Sequence, residues 1–187
     1  MPAAEITFEL LDGRQAAEHE ADLVALRAEA YAGLSGPGED DTTRISGSLQ
    51  VQRRQPGFVL AEAHSGGYLT GYATGMPLRP STSWWRGLTT SLPEHVTAEH
   101  PGRTFALTEL VVRPAWRRQR IGAYLHDLIL SGRTEERATV LVPPSATAAQ
   151  IAFQSWGWHK VARTRAAASG WPASDVLMIE LPPRPGR

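Results

Sequence analysis

The side chains with most chemistry to offer lie between Phe105 and Arg133, FALTELVVRPAWRRQRIGAYLHDLILSGR, where an apolar strand pattern enters a basic, glycine-bearing turn that opens a helical pattern. The start of a helix leaves main-chain N–H groups without intrahelical partners, and the aligned peptide dipoles add positive charge there. A turn made of Arg117, Arg118, Gln119, Arg120, Ile121, Gly122 and Ala123 therefore offers donors and guanidinium groups to an anion such as a diphosphate. Basic residues in a first helical turn oppose the dipole unless an anion is bound, which favours this reading over an ordinary basic turn. Arg120 either crowds an approaching phosphate or swings aside and adds a cation. In the strand before the turn, Glu109 alternates with Thr108 and Leu110 and should face the other way, towards a cleft or solvent. It reads equally as a general base, whose pKa burial would have to raise, or as a solvated or arginine-paired strand residue.

The turn resembles the acyl-CoA-binding motif of the GNAT superfamily of N-acyltransferases: Arg or Gln, two residues, Gly, one residue, then Gly or Ala. Arg117 to Gly122 stand in that register, with Arg120 in the place of the family's first glycine. The resemblance implies a GNAT-like α/β fold with a mixed, mostly antiparallel, twisted sheet of six or seven strands flanked by helices. It implies an N-acetyltransferase that moves an acetyl group from acetyl-CoA to a primary amine by direct attack. The alternative is a CoA-binding regulatory domain of the same fold with little or no turnover. In the family a bulge parts two strands and the pantetheine arm bonds to main chain there, which would put Leu110, Val111 and Val112 beside it and the 117–123 turn at the diphosphate. Glu109 would take the ammonium proton, and a main-chain N–H near Val111 or Val112 would steady the thioester oxygen. The segment SATAAQIAFQSWGW resembles the family's late helix, but Ala146 and Phe153 stand where an asparagine and a thiolate-protonating tyrosine are usual. A thiol of pKa about 8.5 still leaves adequately, and the missing acid should cost about a hundredfold or more. Ser145, Ser155 or Tyr124 are candidate substitutes, although capping or packing explains each of them better.

These groups need elements to hold them. Glu5 to Leu11 reads as a strand, Gln15 to about Ala32 as a helix with Leu23, Leu26 and Ala30 inward, and Gly33 to Gly38 as a break. Asp40 or Asp41 can cap a second helix that buries Ile45 and Leu49 and ends before Pro56. Phe58 to Ala63 and Tyr68 to Leu78 read as a hairpin around His64-Ser65-Gly66-Gly67. Phe105 to Val112 is the next strand, and Ile121 to Leu130 a helix burying Ile121, Leu125, Leu128 and Ile129. Ala138 to Val142 (strand), Thr147 to Trp156 (helix), and Trp158 to Thr164 and Asp175 to Leu181 (strands) complete the order. One domain is expected over residues 1–182, with a long loop at about 79–104 and a flexible tail at 183–187. Trp84 and Trp85 in that loop either wall an acceptor pocket or anchor the loop to the core.

Composition narrows the classes further. Nineteen basic and nineteen acidic residues cancel, so no overall field draws in nucleic acid or an anionic membrane. The absence of cysteine removes disulfides, thiolate metal sites and thiol nucleophiles. His95, Glu99 and His100 miss the zinc-protease spacings, and no metal is expected. No Gly-x-Ser-x-Gly elbow, Walker sequence or dinucleotide fingerprint occurs. The amino terminus has neither a basic start nor an apolar run of signal-peptide length, so a cytoplasmic protein is expected, acting on a small-molecule or protein amine, with homodimerisation open.

Overall fold

The structure is a computed structural model that describes residues 5–31, 42–166 and 172–182. The strands are β1 (Ile6–Asp12), β2 (Val59–Ser65), β3 (Tyr68–Pro77), β4 (Thr104–Val112), β5 (Arg137–Val142), β6 (His159–Arg163) and β7 (Asp175–Glu180). The helices are α1 (Glu20–Tyr31), α2 (Thr42–Arg53), α3 (Glu94–Thr97), α4 (Ile121–Leu130) and α5 (Thr147–Ser155). The strand order is β1-β2-β3-β4-β5-β7-β6, a mixed α/β sheet, mostly antiparallel. The chain divides into two compact units, Met1–Met76 with Leu107–Gly132, and Pro77–Ala106 with Arg133–Arg187. The expected break at Gly33 to Gly38, the caps Asp40 and Asp41, and the 183–187 tail lie outside the described residues.

In the first unit, β1, β2 and β3 form an antiparallel meander. Gly66 and Gly67 turn the β2–β3 hairpin with φ of 58° and 81°, the paired left-handed conformations that a two-residue loop matching strand twist requires. One sheet face carries Leu11, Leu60, Leu69, Tyr72 and Val111, buried with Leu23, Leu26 and Ala30 of α1 and Leu49 of α2 in one apolar cluster. The opposite face of β2 and β3 is built of small residues, Ala61, Ala63, Gly71 and Ala73, and α4 lies against it. Gly71 has to be glycine for steric reasons, because a Cβ there would come within 2.9 Å of the Val111 carbonyl oxygen and 3.1 Å of Leu125 Cδ1.

Two local expectations are corrected here. The helix anticipated from Gln15 is a 3-10 turn over Gln15–Ala17 followed by α1 from Glu20. Asp12 Oδ1 accepts from the N–H groups of Arg14 (2.8 Å) and Gln15 (2.9 Å) and Gln15 Oε1 accepts from the Asp12 N–H (2.9 Å), so the first turn is closed by its own caps and a new helix starts after His19. In α4 the fourth buried residue is His126 rather than Leu128, which is half-buried. Burial, against the hydrogen bond with Asp127, holds the His126 pKa below its ordinary value, so an imidazole can occupy a core position uncharged.

In the second unit, β7 pairs with β5 on one side and β6 on the other, both antiparallel. The long loop is more ordered than its composition suggests. It contains α3, an isolated bridge joins Leu88 to Thr164, and the Thr89 N–H donates to the Arg163 carbonyl at 2.8 Å. Its centre is the buried carboxylate of Glu99, which accepts from Trp85 Nε1 (2.9 Å), Thr104 Oγ1 (2.9 Å) and the Arg137 guanidinium (3.1 Å). All three donors meet Oε1, and Oε2, also buried, has no partner among the described residues, so desolvation of this ion pair is offset only in part.

Candidate functional site

The turn that opens α4 begins where Pro114 stops β4 and a single 3-10 turn, Pro114–Trp116, redirects the chain. Arg118 and Arg120 then adopt left-handed conformations, φ 62° and 64°, the only non-glycine residues with positive φ among those described. Arg120 is the residue before the first turn of α4, and its side chain makes no capping hydrogen bond. The main-chain ladder starts with the Tyr124 N–H donating to the Arg120 carbonyl at 3.0 Å, so the N–H groups of Ile121, Gly122 and Ala123 precede it. Left-handed and right-handed residues in succession turn consecutive N–H groups to one side and make an anion-binding concavity. Arg120 thus adopts a left-handed conformation of the kind glycine takes most readily, and its side chain is exposed. The turn fits a diphosphate.

The neighbouring arginines have different duties. Arg117 donates from Nε to the Val112 carbonyl (3.2 Å) and from its terminal nitrogen to the Ala30 carbonyl at the end of α1 (2.9 Å). Arg113, buried, donates to the Leu69 carbonyl (2.7 Å), pairs with Glu29 and stacks its guanidinium 4.4 Å from the Tyr68 ring centre. These two tie the approach to the turn onto α1 and β3. Arg118, Gln119 and Arg120 are exposed, Ile121 is buried, and Gly122 and Ala123 are half-buried.

Glu109 is engaged at both oxygens. Oε1 lies 2.8 Å from Arg27 Nε of α1, and Oε2 accepts a hydrogen bond from the Tyr72 hydroxyl. Burial first, and then the Glu109 charge, push the Tyr72 phenol well above its ordinary pKa, so this hydroxyl stays a donor. The strict alternation expected along β4 fails at this point. Tyr72 and Thr74, two apart on one face of β3, bond side chains only one apart on β4, Glu109 and Thr108, the latter at 2.8 Å. The Leu78 N–H donates to the Thr104 carbonyl and the Arg113 N–H to the Thr70 carbonyl, so nine steps along β4 run beside eight along β3; the extra residue is a β-bulge, and Thr108 and Glu109 on one side place it immediately before Leu110 (half-buried), Val111 (buried) and Val112 (half-buried).

A small cleft of about 10 Å³, room for about one water molecule, borders Glu109 and Tyr72 and is otherwise lined by Leu23 and Val24 of α1 and Ile45, Leu49 and Gln52 of α2. Its lining mixes apolar side chains with the polar groups of Glu109, Tyr72 and Gln52. Sequence reading supplied Glu109 but not its company, since Arg27, Tyr72 and Gln52 come from segments whose periodicity shows only which face is apolar. The tryptophans fall elsewhere in the chain. Trp84 Nε1 donates to Thr139 Oγ1 (3.2 Å), and Trp85 donates to Glu99 with the Arg137 guanidinium 5.5 Å from its ring centre. Both are anchored by their indole nitrogens to the second unit. Phe153 is buried there too, edge-on to Trp156 and Trp158 at 5.3 Å each, and Ala146 starts α5 without a side-chain cap.

This sheet order, with its helices, is that of the GNAT acetyltransferases, and the chain has the GNAT fold. It superposes on the ribosomal-protein-S18-alanine N-acetyltransferase of Escherichia coli with a TM-score of 0.63 over 97% of both chains, at 13% identity. The putative acetyltransferase yncA of Salmonella typhimurium, solved with acetyl-CoA, gives 0.65 over 98% of both chains at 16% identity. The PaiA N-acetyltransferase of Thermoplasma acidophilum, solved with coenzyme A, gives 0.61 over 95% of this chain and 99% of that one at 10% identity. No family sequence model and no curated protein matches the chain. Among the described residues no helix is long and apolar enough to cross a membrane.

Proposed function

We propose that this chain is an acyl-CoA-dependent N-acyltransferase that moves an acetyl group from acetyl-CoA to a primary amine. The observation that carries the reading is the pair of left-handed arginines, Arg118 and Arg120, at the start of α4 in a chain of GNAT fold. In this reading the main-chain N–H groups of residues 119–123 hold the diphosphate and the exposed Arg118 and Arg120 add charge. Leu110, Val111 and Val112, just past the bulge, offer main chain to the pantetheine arm, and an N–H near Val111 or Val112 faces the thioester oxygen. Bound acetyl-CoA would supply the activated acyl group. The acceptor amine approaches Glu109 from outside the small cleft between α1 and α2, and Glu109 takes its proton while Arg27 and Tyr72 hold the carboxylate in place.

A second reading, a CoA-binding domain with little turnover, is favoured by Phe153, whose buried ring has no proton to give a departing thiolate. One experiment separates the two. Calorimetry establishes CoA binding, and free-thiol release is followed with acetyl-CoA and a panel of primary amines. Binding with turnover supports the transferase, and binding without turnover on any amine supports the regulatory domain. No affinity for CoA removes both. Glu109→Gln should abolish turnover while CoA affinity stays the same, and unchanged turnover removes Glu109 as the base.

A further inference from the structure

The sheet face covered by α1 and α2 carries a charged group that acyl transfer does not use. Glu62, in the middle of β2, has a side chain that is 0% exposed. Its Oε2 lies 2.8 Å from His19 Nδ1 and 2.9 Å from His64 Nε2, whereas Oε1, also buried, has no hydrogen-bond partner among the described residues. An unanswered carboxylate oxygen away from water is unfavourable, and nearby positive charge is what it lacks. Glu9 stands directly opposite Glu62 in the β1–β2 register, on the same face, with its Oε1 3.6 Å from His64 Nε2. One donor atom from each of Glu9, Glu62 and His64 falls within 4.8 Å of the others.

A tetrahedral ion with nitrogen and oxygen ligands at about 2.0–2.2 Å holds those ligands roughly 3.3–3.6 Å apart. The distances from His64 Nε2, 2.9 Å to Glu62 Oε2 and 3.6 Å to Glu9 Oε1, bracket that range, and the two carboxylates come within 4.8 Å of each other, so side-chain shifts of up to about an ångström admit an ion. One imidazole with two carboxylates suits first-row transition metals better than calcium or magnesium, which take oxygen ligands. We propose that Glu9, Glu62 and His64 form a binding site for one divalent transition-metal ion, of which zinc is the representative. The ion replaces the proton that His64 Nε2 donates to Glu62, and that proton passes to solvent. His19 stays outside the ligand set and donates its Nδ1–H to Glu62 Oε2, fixing the carboxylate. Bound there, the ion cross-links the outermost strand β1 to β2 and answers the charge of Glu62. The site goes beyond the acyltransferase reading and stands whether or not that reading holds. Spacing along the sequence could not show it, because Glu9 joins Glu62 and His64 only through the β1–β2 pairing.

The whole chain, stripped with EDTA and dialysed, is titrated with zinc chloride by calorimetry in two buffers of different ionisation heat, with cobalt in parallel for its visible spectrum. One ion per chain, a buffer-dependent heat that reports proton release, and tetrahedral cobalt bands are expected. Affinity should fall about tenfold or more in Glu9→Gln and His64→Gln. Glu9 is largely exposed, so that variant retains the fold, which circular dichroism checks. A His95→Ala/His100→Ala variant should bind as the parent does. Absence of binding at submillimolar zinc, unchanged affinity in both site variants, or loss of binding in the His95/His100 variant overturns the proposal.

Discussion

Replacing Arg120 by glycine and, separately, by alanine tests the geometry of the turn without any ligand. Arg120 has φ 64° and ψ 5°, the left-handed region. That conformation costs an L-residue about 1–2 kcal/mol. Glycine avoids this cost but loses about 0.5–1 kcal/mol more chain entropy than alanine on folding. The difference leaves Arg120→Gly more stable than Arg120→Ala by about 1 kcal/mol, or roughly 2–4 °C in melting temperature for a chain of this length. The comparison between two truncated variants cancels the loss of the arginine charge. Ala25, exposed in the interior of α1, supplies the opposite case, where glycine should cost about 1 kcal/mol. Urea unfolding of the four proteins, parent included, measures both differences. If Arg120→Gly is no more stable than Arg120→Ala while Ala25→Gly is destabilised as expected, the left-handed turn is wrong, and the diphosphate reading falls with it.

Gly71→Ala should destabilise by about 1–3 kcal/mol, because the added methyl meets a fixed carbonyl at 2.9 Å as well as Leu125; chemical denaturation reads this, and a neutral result would mean β3, β4 and α4 are less tightly packed than described. Tyr72→Phe removes the hydroxyl that Glu109 accepts from and should cost about 1–2 kcal/mol in the same assay. Asp175 supplies a pH prediction. Burial raises its pKa, but hydrogen bonds from Arg163 and Lys160 outweigh burial and leave it below the ordinary aspartate value. Its contribution is therefore complete above about pH 4, the unfolded value, and is lost as pH falls through the lower folded one. Melting temperatures of the parent and Asp175→Asn should differ by a constant amount near neutrality and converge in acid.

Elements that depend on local signals were legible in the sequence. The β2–β3 hairpin follows from paired glycines between apolar runs, and α4 begins at Ile121 as its pattern indicates. What escaped depends on partners far apart in the chain. The strand pattern of β4 gave Glu109 a face, but the extra residue that turns Thr108 and Glu109 to the same side of β3 is a pairing irregularity with no local signature. Glu62 lies in an apolar run and would be taken for a solvated strand residue, yet it is buried because α1 and its preceding turn close over that face. The indole nitrogens of Trp84 and Trp85 could have signalled anchoring, since half-buried tryptophans need acceptors, but the acceptors Thr139 and Glu99 could not be chosen without the fold.

The exposed guanidinium groups of Arg118 and Arg120 flank a helix mouth that already carries positive charge, so like charges repel one another within the turn. Sulfate or inorganic phosphate in an ordinary buffer would relieve that repulsion by simple mass action. A thermal-shift screen run in phosphate would understate the effect of every phosphorylated compound added afterwards, and a buffer with a bulky zwitterion is the proper baseline for this protein.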